Sequence, residues 1–544
     1  MIPDGLLNRL RTYPARYARA ADALKAALAD IQGLVLHSYI DQDAAFAFLR
    51  LGEPRAARDW LRSLLPDVST AAPARHGDSR RLNIAFTVAG LRALGLTEEE
   101  LGTFPVELRE GMASRKHELG DAVDGWELGR NPEDLHLVLM LYAAPAELED
   151  FLAAQQERWS LAGVTTVKIQ RGARVRPRSG PTDGLPRDHF AFRDGIAQPV
   201  LAGFHEELTH RISELDQPVL PGELLLGYVN EYLELPDFPC VSAASDPEGL
   251  LPEAPGAENG KKGWRDLGHN GTYLVLRKLE QDVDAFRALT GAAPHGASPT
   301  GPTSGCPMKA SAVPSSPPLD ENPVAAKALG RRQDGTPLEP HDTGHRDPAP
   351  DYWLHRFTYR PRDPHGFGCP VGSHIRRANP RDDIPDAERT LRGERARKKA
   401  AERQRRDSLA VSRKHRIIRR GITYQDPDGR KGLLFIALNA NIRRQFEFIQ
   451  QAWLGGDFLV GKPDGRSVIT VPGDPVRARL HVTRPIVEVR GGEYFFMPSI
   501  KALRYLASRA PGQPRVREEG ETRHQGARVR LFHRLLAAVG AREG

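Results

Sequence analysis

The chain has 544 residues, and 77 Lys and Arg against 70 Asp and Glu leave a net charge of +7. A composition of 40% apolar and 27% charged residues is that of an ordinary globular protein with a sizeable core, which excludes wholesale disorder and a collagen-like fibre, and the length suits two or three domains. The three cysteines, Cys240, Cys306 and Cys369, include no C-x-x-C pair, which excludes a disulfide framework and a thiolate metal cage.

Taken in chain order, AAFAFLRL at 44–51 predicts a strand, and 53–65, with Trp60, Leu61, Leu64 and Leu65 on one face, predicts a helix. A strand at 82–87, a short helix at 89–94, an intensely apolar strand at 135–143, an amphipathic helix at 145–159 and a β-branched strand at 164–175 complete the order βαββαβ. A related order returns as strand 272–277, helix 282–289, strands 352–359 and 432–438, helix 442–454 and strand 493–497. Two such units predict an α+β fold of duplicated ferredoxin-like units, antiparallel sheets with helices packed on one face. The expected domains are 1–200, ending in an Asp-Gly segment, 201–510, and a basic tail at 511–544.

Two inserts interrupt the second unit. Residues 292–323 are rich in Gly, Pro and Ser and cannot bury enough apolar surface to order themselves. Residues 386–414 carry 11 Lys or Arg against 5 acidic residues and read as a solvated excursion, the usual meaning of a charge run. No apolar run approaches the ~18 to 20 residues that cross a bilayer, and the start, MIPDGLLNRLRTYPARY, lacks a basic segment leading into an apolar one. A cytoplasmic protein with no membrane span is expected. The pI near 9.3 permits weak attraction to polyanions, but no base-reading or phosphate-cradling motif points to a specific nucleic acid.

Three stretches carry chemistry. FGCPVGSHIRRANPRDD, 367–383, sets His374 among Arg376, Arg377 and Arg381. A neutral imidazole is a common metal ligand, and guanidiniums suit an anionic cofactor edge. HFAFRDGIAQPV, 189–200, places Asp194 before Gly195, where the glycine lets backbone approach a flat ligand and the carboxylate can act as acid or base; alone it is an Asp-Gly turn. KHRIIRRGITY, 414–424, puts Arg419 and Arg420 at the end of an apolar run.

In this order the three stretches resemble the dye-decolorizing (DyP-type) haem peroxidases. The likeness continues through LNIAFTVAGLRALGL, LLLGYVNEY, DLGHNGTYLVLRKLEQDVDAF, VAAKALGRRQDGTPL, GLLFIALNANIRRQFEFIQQAWL and GGEYFFMPSI, from residue 33 to 500. The resemblance implies haem b in the second unit, with His374 as proximal iron ligand, Asp194 on the distal, peroxide-binding side, and Arg419, the first arginine of an R-x-G element, as the distal arginine rather than Arg420. The family's G-x-x-D-G begins with glycine, whereas this chain has Ala191; where that position needs positive φ, alanine costs on the order of 1 kcal/mol.

Chemistry assigns further roles. Arg376 and Arg381 are offered to the haem propionates, and Ile196 and Gln198 to the haem face. Leu434, Phe435 and Phe446 read as apolar walls or, equally, as core. Glu493, flanked by aromatics in GGEYFF, is the first choice for a carboxylate behind His374, with Glu447 second; a solvent-facing residue is the alternative for both. Trp353, Trp453 and Tyr494 are offered as electron relays from the surface, although aromatic residues are usually core.

The leading expectation is a haem peroxidase that uses hydrogen peroxide to oxidise dye-like, phenolic or other electron-rich small-molecule donors. Oxygenase-like or hydrolytic chemistry at the same site comes second, and a haem-binding or haem-handling protein with little turnover third. A polyanion-binding adaptor built on the basic insert comes last. The sequence leaves the oligomeric state open.

Overall fold

The computed structural model describes residues 21–509 except 74–78, 176–185, 205–217, 256–262, 292–322, 339–353, 355–356, 361, 385–393, 456–467, 472–477 and 482–484. Cys306, Trp353, the tail at 511–544 and nearly all of the first insert lie outside the described residues.

The strands in chain order are β1 (Asp43–Arg50), β2 (Arg81–Phe86), β3 (Leu137–Ala143), β4 (Thr165–Gly172), β5 (Cys240–Ser242), β6 (Trp264–Asp266), β7 (Thr272–Gln281), β8 (Ile418–Arg419), β9 (Ile422–Gln425), β10 (Lys431–Asn439), β11 (Val468–Val471), β12 (Ala478–His481) and β13 (Val487–Met497). Among the described residues, nine of them form one antiparallel sheet in the order β4-β1-β3-β2-β13-β7-β10-β8, with β9 also on β10; β5 pairs β6 and β11 pairs β12 apart from it. The N-terminal half supplies β1 to β4 and the C-terminal half the rest. They join where Phe86 of β2 pairs with Phe496 of β13, so the sheet runs unbroken across both halves.

Every residue of β3 is buried, which requires cover on both faces of the sheet. Helices α1 (Pro54–Leu64), α2 (Leu148–Leu161) and, near the end of the described chain, one at Ile500–Ser508 cover one face, setting Trp60, Leu61, Phe151, Trp159 and Leu503 against Leu139, Leu141 and Phe496. Helix α1 starts where it does because the Glu53 carboxylate accepts the Ala56 N–H at 2.8 Å and Pro54 already has the φ of a first turn. The other face is covered by Ile31, Leu34, Val35, Leu224 and Leu225, which pack on Phe46, Phe48, Leu276 and Leu434.

Two expectations are corrected. The strand placed at 352–359 is absent at its described positions, because the Tyr359 N–H is taken by the Asp382 carboxylate at 2.7 Å rather than by a neighbouring strand. The basic insert is not wholly a solvated excursion. It forms a helix, Glu394–Lys414, whose Ser408 and Ser412, one turn apart, are buried and donate to the Arg381 carbonyl at 3.0 and 2.7 Å, while Arg405 lies 3.5 Å from the buried Asp382 carboxylate. Charge counting misses this packing because small serines form the contact face.

Candidate functional site

A cavity of about 300 Å³ opens on the C-terminal half of the sheet. Its floor follows the period-2 alternation of strands. Arg277, Leu279 and Gln281 of β7, Leu433 and Phe435 of β10, and Val487 and Val489 of β13 line it, while Leu434 and Leu276 face the opposite core. Leu434 is therefore core and not a cavity wall.

The same parity separates the two arginines of β8 and its end. Arg419 pairs with Ala437 in register and lines the cavity, where its guanidinium donates to the Ile196 carbonyl. Burial pushes it below its usual range, and the charge of Asp194 opposes that shift. Arg420, one residue on, turns to the other face and donates to the carbonyls of Leu34 (2.8 Å) and Val35 (3.0 Å). Gln198 does not line the cavity; its Oε1 accepts the Arg419 backbone N–H at 2.9 Å, so it braces the strand end instead. Ile196 does line the cavity.

His374 opens a five-residue helix, His374–Ala378, and lines the cavity together with Ile375 and Ala378. The loop before it is stapled by Arg376, which is absent from the cavity wall. Its guanidinium donates to Asp383 at 2.7 Å, to Asp363 Oδ2 at 3.1 Å and to the Cys369 carbonyl at 2.6 Å, and it lies 4.4 Å from the centre of the Tyr359 ring. With its fork so occupied, Arg376 holds the loop that presents His374. Arg381 is on the wall, 4.0 Å from the centre of the Phe357 ring and bonded to the Phe357 carbonyl at 3.0 Å.

The loop that carries Asp194 is a tight reversal. Arg187 and Arg193 pair as an antiparallel bridge, Asp188 N–H donates to the Phe192 carbonyl at 2.9 Å and Asp194 N–H to the Pro186 carbonyl at 3.0 Å. The turn requires Ala191 at φ 72°, in the region that glycine favours. Asp194 lines the cavity; its Oδ1 accepts the Gly195 N–H at 2.7 Å and its Oδ2 lies 3.8 Å from Arg174.

Neither acid offered behind His374 lines the cavity. Glu493 is turned away by a bulge between Val489 and Gly491, which shifts the β13 register by one residue and sets Glu493 opposite Leu276. Its Oε1 accepts N–H groups of Met112 (2.8 Å) and Tyr494 (2.7 Å), and burial pushes the carboxyl up to about 7. Glu447 is clamped by Arg115 at 2.6 and 2.8 Å and by the Tyr494 hydroxyl at 2.9 Å. Phe446 lines the cavity from a π-helical run at Arg443–Glu447 and Ile449–Trp453, and Trp453 lines it from the same run.

Among the wall residues that sequence reading missed are Arg331, His415 and Asp188. Arg331 is buried, donates to the carbonyls of Gly335 and Leu354, and is pushed down to about 9 by burial and by nearby Arg381. Its segment, GRRQDG, was legible only as part of the resemblance. His415 stacks on Phe448 with ring centres 4.1 Å apart, and Asp188 shares the loop of Asp194; nothing in their local sequence marks either as a wall residue.

No family model matches the chain. Among curated proteins it is 28% identical over 530 residues to the multifunctional dye peroxidase DyP2 of Amycolatopsis sp., which spans 88% of this chain and 96% of that protein. It is 25% identical over 516 residues to the dye-decolorizing peroxidase AauDyP1 of Auricularia auricula-judae, spanning 87% and 86%. Among solved structures it matches a DyP-type peroxidase of Anabaena sp. at a TM-score of 0.62 and 22% identity, over 90% of this chain and 96% of that one. A fungal DyP-type peroxidase from Auricularia auricula-judae matches at a TM-score of 0.63 and 23% identity, over 88% and 99%. The α+β architecture around one large antiparallel sheet is the fold of those proteins.

Proposed function

We propose that this chain, which belongs to the dye-decolorizing peroxidase family, is a haem-dependent peroxidase that reduces hydrogen peroxide and oxidises electron-rich small molecules such as phenols and dyes. The observation that carries this reading is the convergence of His374, Asp194 and Arg419, from three distant parts of the sequence, on one cavity.

The residues present fit haem b. A cavity of about 300 Å³ lies at the lower end of the ~300 to 1,000 Å³ of cofactor sites, Phe435, Phe446 and Leu433 offer apolar faces, and Arg331 and Arg381 offer buried cations for propionates. His374 would hold the iron. When bound, haem supplies the redox chemistry with peroxide. Asp194 takes the proton from one peroxide oxygen and returns it to the departing one, and Arg419, permanently charged, stabilises the negative charge that develops there. Gln198 fixes the Arg419 backbone for that task. Trp453, half-buried between the cavity and the surface, is the relay favoured for donors too bulky to enter, whereas Tyr494 is fully buried. The two halves of the one antiparallel sheet read as duplicated ferredoxin-like units.

The test is the absorption spectrum of the full chain reconstituted with haem. A Soret band that changes on one equivalent of peroxide and returns on addition of a phenolic donor is expected. In His374→Ala the haem should be lost or weakly held. A bound haem whose spectrum does not respond to peroxide would make the protein a haem carrier.

A further inference from the structure

Asp188 faces the same cavity as Asp194 and has no part in the reading above. The bridge between Arg187 and Arg193 sets residue 188 across from 192 and residue 186 across from 194. Side chains 188, 192 and 194 therefore project on one face of the loop, and diagonal neighbours across such a pair lie roughly 7 to 8 Å apart. All three line the cavity.

The surroundings of Asp188 favour a neutral acid. Its Oδ1 accepts the Phe192 N–H at 2.8 Å, and the Gln281 amide of β7 hydrogen-bonds the same carboxyl. The Gln281 Oε1 is buried and lacks a donor among the described residues, and a proton on Asp188 is one that a carboxylic acid offers to such an amide. Burial first, and then the charge of Asp194, push Asp188 up to about 7, against the hydrogen bonds that favour its ionised form. The ionisable groups facing the pair are Arg174, 3.8 Å from the Asp194 carboxylate, Arg193 from the loop, Arg277 from β7, Arg419 from β8, and Arg331 and Arg332 following the helix Pro323–Leu329; β13 contributes only Val487 and Val489. Arg381, Arg416, His374, His415 and Tyr359 complete the ionisable lining.

We infer that Asp188 and Asp194 act as a carboxyl pair that keeps one proton between them, Asp188 being its resting holder, so that Asp194 stays available as the carboxylate that works on peroxide. Asp188 is a positioning residue in this scheme: two like charges on one loop face are not both favoured, and the member that Arg174 and Arg419 do not stabilise takes the proton. No electron moves and no bond other than O–H forms or breaks. The inference rests on the peroxidase reading for its purpose but not for its measurement.

Infrared difference spectra of the haem-loaded full chain between pH 5 and 9 read the pair directly. Beside the band of Glu493, which is also raised to about 7, the wild type should show a protonated carboxyl band that disappears near neutrality and is missing in Asp188→Asn. In Asp194→Asn the band should remain, with its midpoint moved to lower pH by loss of the like charge. A wild type without that band, or a midpoint unmoved in Asp194→Asn, overturns the pair even where peroxide reactivity is normal. The rate of the peroxide reaction gives the second reading. Above neutral pH the ionised Asp188 adds a negative charge facing the developing one, so the wild type should slow by about three- to tenfold there. That inflection should vanish in Asp188→Asn and persist in Asp188→Glu. Its persistence in Asp188→Asn refutes the scheme, whereas a protein silent toward peroxide with the infrared coupling intact refutes only the peroxidase reading.

Discussion

Replacing Glu493 by Gln should make the protein more stable at alkaline pH and leave it nearly unchanged at acid pH. The carboxyl is 1% exposed, its Oε1 accepts two backbone N–H groups, and its Oε2 has no partner among the described residues. Burial raises it from an ordinary 4.5 to about 7, with the two hydrogen bonds opposing the shift. The folded chain therefore holds a proton that the unfolded chain releases at lower pH. Because the folded value is raised, the stabilising contribution is fully present below the unfolded value and is lost as pH climbs through about 7. The shift corresponds to about 3 kcal/mol lost by pH 9. Glutamine keeps an oxygen for both N–H groups and carries no charge at any pH, so the variant should match the wild type at pH 4.5 and exceed it by about 3 kcal/mol at pH 9. Urea unfolding of both proteins across that range, in the same haem state, is the assay. Asp188, also raised to about 7, tilts both curves alike, so the difference between them isolates Glu493. Parallel curves for the two proteins would refute the argument that this carboxyl is buried and neutral.

Ala191→Gly should stabilise the chain by roughly 0.5 to 1 kcal/mol, since relief of ~1 to 2 kcal/mol of left-handed strain exceeds the ~0.4 to 1 kcal/mol of added unfolded-state freedom; an unchanged urea midpoint would show that φ 72° is not strained here. Arg405→Ala should destabilise by about 2 kcal/mol, because the fully buried Asp382 loses a neighbouring cation that is itself one-fifth exposed, while Arg403→Ala on the solvent face of the same helix should stay within about 0.5 kcal/mol. Equal effects of the two would mean that the helix does not pack there. Stopped-flow rates of peroxide reduction should fall roughly 100- to 1,000-fold in Arg419→Leu. In Asp194→Asn they should fall roughly 100- to 10,000-fold; an unchanged rate in Asp194→Asn would assign the proton to another group.

The sequence by itself determined the elements and the order of the chemical segments. Apolar alternation marks β1, β3, β7 and β10, helical spacing marks α1 and α2, and CPVGSHIRRANPRD, FRDG and RRG are contiguous strings whose residue types state their chemistry. These signals are local, carried by covalent neighbours. The glycine missing at position 191 was equally local, and the turn it occupies does take positive φ. Which side chains meet was decided only by the tertiary structure. A one-residue change of parity separates Arg419 from Arg420 and Phe435 from Leu434, and parity has no meaning until strands pair and one face is covered. The bulge after Val489 reverses the face on which Glu493 stands, and no residue type in VEVRGGEYFF fixes where the extra residue falls. Arg376 looks the equal of Arg381 in the string, yet the carboxylates of Asp363 and Asp383, reached only after the loop folds back, take its guanidinium and leave Arg381 at the cavity. Asp188 acquires its partner the same way, since six residues along the chain become neighbours on one face only when the loop closes through the Arg187–Arg193 bridge.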